Sequence, residues 1–127
     1  MKYLAIDFGL RHLGLAVNFG LLVEPLGQID YLELEKVLIK IKKICEEHKI
    51  EKIVIGVSEG KMAKETRRFG QKLKKQINLP IIFQDETLTS QEAKQRLIES
   101  KVKKKKRATA DHQVAAALIL QAFLDNQ

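Results

Sequence analysis

Residues 2–29 hold three strand-like runs, and the connections between them are too short for a helix. Residues 2–8 read as a strand through Tyr3, Ala5 and Ile6. Gly9-Leu10-Arg11-His12 makes a tight connection. Leu13 to Asn18 is a second strand, with Leu13, Leu15 and Val17 on one face and Gly14, Ala16 and Asn18 on the other. Phe19-Gly20 turns the chain. Leu21 to Ile29 is a third strand, and Pro25 within it suits a sheet edge or a bulge, because proline cannot donate to a ladder. Consecutive strands with short connections make an antiparallel meander.

The period then changes. Leu34, Val37, Leu38, Ile41, Ile44 and Cys45 share one helical face. Ile53 to Val57 is apolar without alternation, as in a central strand buried on both faces. Residues 62–77 form a polar, basic helix with Phe69, Leu73 and Ile77 as its apolar stripe, and Pro80 to Gln84 is a fifth strand. Thr89 or Ser90 can cap a helix at 91–99. Lys101 to Ala108 reads as a basic loop, and 109–125 as a last helix capped by Thr109. The order is βββαβαβαα, with no linker or repeat, so residues 1–127 make a single domain. Right-handed crossovers bring strands one, four and five together as parallel neighbours. The fold class is therefore α/β: a five-stranded mixed sheet with helices on both faces. Ala110, Ala115, Ala116 and Ala117 let the last helix lie close to that sheet.

Apolar residues make up 45% of the 127, which excludes a disordered tail. No apolar run reaches the ~18 residues a membrane span needs, and the N-terminus lacks a signal peptide's layout. The lone Cys45 fits a small core residue in a reduced compartment, so a cytoplasmic location is expected. The net charge is +7. Between Lys94 and Arg107 there are eight basic residues and one acidic, Glu99, while basic and acidic residues cancel over the rest. A concentrated basic run fits a polyanionic partner such as nucleic acid; its bland alternative is a solvated lysine loop.

Three carboxylates occupy strategic points. Asp7 ends the first strand, Glu86 follows the fifth, and Asp111 opens the last helix. Ligands of such sheets sit at the carboxyl ends of the strands. Clustered carboxylates repel one another unless a cation intervenes, and hard divalent cations prefer oxygen ligands. Metal-assisted chemistry on phosphates is the leading idea. Plainer readings stand beside it: Asp7 suits a turn, and Asp111 suits a helix N-terminus. Adjacent residues of a strand point opposite ways, so Glu86 is assigned to the site and Asp85 to the surface or a turn. Glu59, after the fourth strand, is a rival ligand. His12 and His112 flank the site in sequence, and His112 is expected to face solvent beside Asp111.

These residues resemble a known family. Asp7-Phe8-Gly9-Leu10-Arg11-His12-Leu13-Gly14-Leu15-Ala16 is similar to the D-x-G-x-K-R-I-G-x-A pattern of the YqgF family, also called RuvX, of pre-16S rRNA nucleases once described as Holliday junction resolvase-like. Pro25-Leu26, Ile53-Val54-Ile55-Gly56, Asp85-Glu86-Thr87-Leu88-Thr89 and Asp111-His112-Gln113-Val114-Ala115-Ala116 match its further motifs in order. The family belongs to the RNase H-like superfamily. The resemblance implies an RNase H-like fold and a metal-dependent nuclease acting on the 5′ end of precursor 16S rRNA. Asp7, Glu86 and Asp111 would be catalytic and would hold Mg²⁺ or Mn²⁺. Arg11, Lys101, Lys103, Lys104, Lys105, Lys106 and Arg107 would bind nucleic acid, either precursor rRNA or branched DNA. No membrane partner is expected, and the chain would be a monomer or weak dimer. The departures lie at His12, Thr87 and Ser58, where the family carries arginine, arginine and proline.

Two rival classes share parts of this pattern. Actin-like ATPases resemble it around Asp7 to Gly14 but need two such domains to enclose a nucleotide. A non-catalytic nucleic-acid-binding module, or a Holliday junction resolvase-like DNA endonuclease, would keep the same basic run.

Overall fold

The computed structural model describes residues 1–57, 60–85 and 107–126, with the backbone alone over 107–111. The strands are β1 (Tyr3–Asp7), β2 (His12–Phe19), β3 (Leu22–Asp30), β4 (Lys52–Val57) and β5 (Ile81–Asp85). They form one sheet in the order β3-β2-β1-β4-β5. The described helices are α1 (Leu34–Glu47), α2 (Lys61–Gln76) and α3 (Arg107–Asp125). The expected helix over 91–99, with its cap at Thr89 or Ser90, lies outside the described residues. So do Ser58, Glu59, Glu86, Thr87 and the lysines of 101–106.

The meander forms as its short connections require. β1 pairs antiparallel with β2, and β2 with β3. β4 then pairs parallel with β1, and β5 parallel with β4, as the crossovers require. Pro25 meets both of its expected settings. It lies on the edge strand β3 and at a bulge: Leu15 pairs with Gly27 and Ala16 with Pro25, leaving Leu26 as the extra residue.

Both sheet faces are buried, and the alternation of side chains sorts the core into two layers. Leu4, Ile6, Leu13, Leu15 and Val17 pack on Val37, Leu38 and Ile41 of α1 and on Phe69 and Leu73 of α2. Tyr3, Ala5, Ala16 and Val54 pack on Ala116, Ala117, Ile119, Leu120 and Phe123 of α3. Tyr3 meets Phe123 edge to face, with ring centroids 5.1 Å apart. Cys45 is buried in the first layer, and burial pushes its thiol up to about 11, so it stays protonated and acts as core.

Asn18 is a polar residue inside this core. Its Oδ1 accepts the Tyr3 N–H at 2.7 Å, and its Nδ2 donates to the Met1 and Gly20 carbonyls at 2.9 and 2.8 Å. The side chain closes the ends of β1 and β2, which is how a buried amide is tolerated.

One boundary differs from expectation. The last helix already includes Arg107 and Ala108, so Thr109 lies inside it rather than at its cap, and the basic loop cannot extend to Ala108. Arginine and alanine are strong helix formers, and nothing at 107–108 breaks the helix.

Candidate active site

Asp7 is the last residue of β1, at the carboxyl edge of the parallel part of the sheet. Its place in the alternation puts it on the face of Tyr3 and Ala5, which is the face α3 covers. Across the sheet it pairs with Gly14 of β2.

Gly14 explains how α3 reaches this edge. A Cβ at Gly14 would lie 1.9 Å from the His112 carbonyl oxygen and 2.4 Å from the Gln113 nitrogen. The backbone of α3 therefore rests directly on β2 beside Asp7. Only a residue without a side chain leaves that space. Residue 111, one before His112 in the same helix, is carried to the same edge.

His112 makes the direct link. Its Nδ1 lies 3.0 Å from Asp7 Oδ2, with the two side chains 36% and 18% exposed. With Asp7 ionised, the carboxylate accepts and the imidazole N–H donates. This corrects the expectation that His112 faces solvent. The close seating of α3 on Gly14 turns its first described side chain inward over β1. Sequence adjacency to Asp111 was the available signal, but it could not say which way around the helix His112 points.

A second acid–histidine pair lies alongside. His12 Nδ1 is 2.7 Å from Asp30 Oδ1, and Gln28 Nε2 donates to the same oxygen at 2.8 Å. Hydrogen bonds from Gln28, then His12, hold the Asp30 carboxyl below its usual range. The rings of His12 and His112 are 6.0 Å apart. His12, which stands where the family pattern has arginine, is therefore engaged by Asp30. Arg11 is exposed and makes no ion pair among the described residues. It lines an open cleft of about 500 Å³ with His12, Asp30, Tyr31, Lys36 and Lys40. The loop carrying Arg11 is pinned: the Tyr31 hydroxyl donates to the Gly9 carbonyl at 2.5 Å, and the Tyr31 N–H to the Arg11 carbonyl at 2.9 Å. A Cβ at Gly9 would come 2.4 Å from the His12 carbonyl oxygen, so this turn also needs glycine.

The register locates the end of β5. Asp7 continues the row in which Ile6 pairs with Ile55, which sets it level with Gly56, and Gly56 pairs with Gln84. Gln84 thus shares Asp7's face. Asp85, exposed, shares the opposite face with Phe83. That placement agrees with its expected surface position.

Of the expected site residues, the structure places Asp7 and Arg11 fully, and Arg107 and Asp111 by backbone alone. Glu86 and Lys101, Lys103, Lys104, Lys105 and Lys106 lie outside the described residues, as does the rival Glu59. Among the described residues no group of three metal-binding side chains comes together. The donor chemistry nevertheless suits a hard cation. A partly exposed carboxylate sits at the sheet edge, and the helix that bears Asp111 is seated against the neighbouring strand.

Comparison with known proteins follows this geometry. The family described as RuvX, Holliday junction resolvase, matches residues 1–126. A Dictyoglomus thermophilum protein named "Putative pre-16S rRNA nuclease" is 32% identical, over 99% of this chain and 96% of its own length. One of the same name from a Sulfurihydrogenibium species is 39% identical, over 98% and 90%. The solved structure of T. thermophilus RuvC in complex with Holliday junction substrate superposes with a TM-score of 0.72 at 12% identity, over 99% of this chain and 96% of that one. That likeness establishes the fold as the RNase H-like fold of the RuvC resolvases. No described helix is long and apolar enough to cross a membrane.

Proposed function

This chain belongs to the RuvX family, and from that premise we propose that it is a metal-dependent nuclease that hydrolyses phosphodiesters in maturing the 5′ end of precursor 16S rRNA. The observation that carries the reading is the seating of α3 on Gly14, which holds Asp7 and the helix of Asp111 at one sheet edge. The names of the relatives supply the substrate class. One site per chain suffices to trim an RNA end, whereas resolving a four-way junction needs two, so the RNA reading is met by a monomer or a weak dimer. Such an enzyme meets its substrate in the cytoplasm.

Asp7, Glu86 and Asp111 would hold Mg²⁺ or Mn²⁺. A cation held there would supply Lewis-acid chemistry, making a water acidic enough to attack and offsetting charge on the phosphate. The chain's own residues do the rest. His112 fixes the orientation of the Asp7 carboxylate through its Nδ1. Arg11 presents an exposed guanidinium beside the site, suited to a phosphate oxygen. Lys101 to Arg107 would grip backbone phosphates without reading bases.

The parity of β5 supports Glu86 over Asp85. Asp85 lies on the face opposite Asp7, which counts against it as a ligand at that edge. Glu86→Gln should abolish cleavage, while Asp85→Asn and Glu59→Gln should leave most of it. Activity lost in Glu59→Gln and kept in Glu86→Gln would reverse the assignment.

The basic run has its own expected signature. Phosphate contacts release counterions, at ~0.7 units of salt slope per contact for single strands and ~0.9 for duplex. Replacing Lys103, Lys104 and Lys105 by glutamine should flatten the slope of log affinity against log salt by roughly two units. An unchanged slope would reduce the run to a solvated segment.

The substrate is tested by offering one preparation a precursor carrying the 16S 5′ end and a four-way DNA junction, each with Mn²⁺ and with EDTA. Metal-dependent cleavage of the RNA is expected. Faster cleavage of the junction would make the chain a DNA resolvase instead.

A further inference from the structure

The charge outside 94–107 sums to zero, but the fold does not spread it evenly. Helix α2 holds seven cationic residues among its sixteen and a single acid, Glu65. All seven cations are exposed. Five of them, Lys61, Lys64, Arg68, Lys72 and Lys75, follow one another at steps of three, four, four and three. That spacing sets them in one stripe along the helix. The stripe lies opposite the buried face of Thr66, Phe69, Gly70 and Leu73. Arg67 flanks it, over the half-exposed ring of Phe83 at 5.3 Å.

Among the described residues, Glu65 is the one acid that approaches the stripe. Arg68 approaches Glu65 at 3.8 Å, and both are exposed. The lysines of α2 form no ion pair among the described residues. Like charges at these spacings work against a helix, so the row is unfavourable for the free chain and becomes favourable only against an anion.

Its position gives the row a direction. α2 begins four residues after Val57, the end of β4, at the sheet edge that carries Asp7. It then runs back along the sheet, on the face opposite α3. Lys61 is nearest the edge, and Lys75 is ~21 Å further along the helix axis. Membrane binding does not suit it, because the apolar face that an interfacial helix would insert is buried in the core. A row of cations with a single flanking aromatic ring suits the phosphate backbone of nucleic acid rather than its bases.

We propose that the outer face of α2 is a second nucleic-acid surface, which binds the backbone of the substrate's double-stranded arm as it leaves the catalytic edge. This rests on the nuclease reading above but is separable from it.

The test uses the full chain with Lys61, Lys64, Arg68, Lys72 and Lys75 changed together to glutamine. Binding to duplex RNA is measured against salt in EDTA, so that no cleavage occurs. Loss of about four contacts at ~0.9 each should flatten the slope by roughly three to four units. Turnover of a bis-aryl phosphodiester, too small to reach α2, should be unchanged. A companion variant with only Lys64 and Lys72 changed to glutamine should flatten the slope by roughly two units, and it carries the test if the fivefold variant does not fold. An unchanged slope in the glutamine variant would overturn the surface whatever the activity. Tighter wild-type binding to phosphatidylserine vesicles than to duplex RNA would overturn the choice of partner. Absent turnover of the small diester by wild type, with the slope change intact, would sink the nuclease reading and leave the surface standing.

Discussion

Gly14→Ala should cost about 3 kcal/mol of stability, at the upper end of what overpacking a core costs. The added methyl would lie within 2.0 Å of the His112 carbonyl carbon and closer still to its oxygen. Those are backbone atoms, and they cannot rotate away as a side chain can. In a strand, alanine would ordinarily be favoured over glycine by roughly 0.5–1 kcal/mol. Here the clash outweighs that gain, because relief requires α3 to lift from β2. Lifting α3 exposes Ala116, Ala117, Leu120 and Phe123, all buried against the sheet. For a chain of this size the expected drop in melting temperature is roughly 10 °C. Cleavage should fall as well, since the same contact seats the helix of Asp111 beside Asp7. A melting temperature within about 2 °C of wild type would show that α3 does not rest on Gly14.

Most of the sheet was legible in the sequence because its physics is local. The three early strands are joined by connections too short for a helix, Ile53 to Val57 is continuously apolar, and Pro25 suits only an edge or bulge. The start of the last helix was not legible, since Arg107 and Ala108 carry no stop or cap signal and Thr109 imitates one. The rule for strand ends was enough to put Asp7 at the carboxyl edge of the sheet, but it says nothing of the helix of Asp111, whose approach to that edge depends on Gly14. His112 was missed because its role depends on how closely α3 sits, and that is set by Gly14, about a hundred positions away. Asn18 reads as one more residue of an alternating strand, although its amide ties β1 to β2. The charge of α2 was hidden for another reason. A sum over the chain cancels its lysines against acids such as Glu33 and Glu46, which the fold puts on or beside α1 instead.

Asp7→Asn should lower the rate of RNA cleavage by about a thousandfold or more while leaving the protein folded. The substitution keeps the shape of the side chain and removes the charge that would hold the cation. Electrostatic help from a bound metal is worth several kcal/mol, and each ~1.4 kcal/mol is tenfold in rate. The loss of the Asp7–His112 pair is the smaller effect. Both partners are partly exposed, so the pair contributes on the order of 1 kcal/mol or less. Mn²⁺ should raise the melting temperature of wild type, as any ligand of the folded state does, and should raise it far less in Asp7→Asn. The decisive measurement is single-turnover cleavage of the precursor 16S 5′ region by wild type and Asp7→Asn, side by side in saturating Mn²⁺. Loss of three orders of magnitude, with a melting temperature close to wild type in EDTA, is the result expected of a metal-dependent nuclease centred on this edge. Cleavage by Asp7→Asn within tenfold of wild type would contradict it.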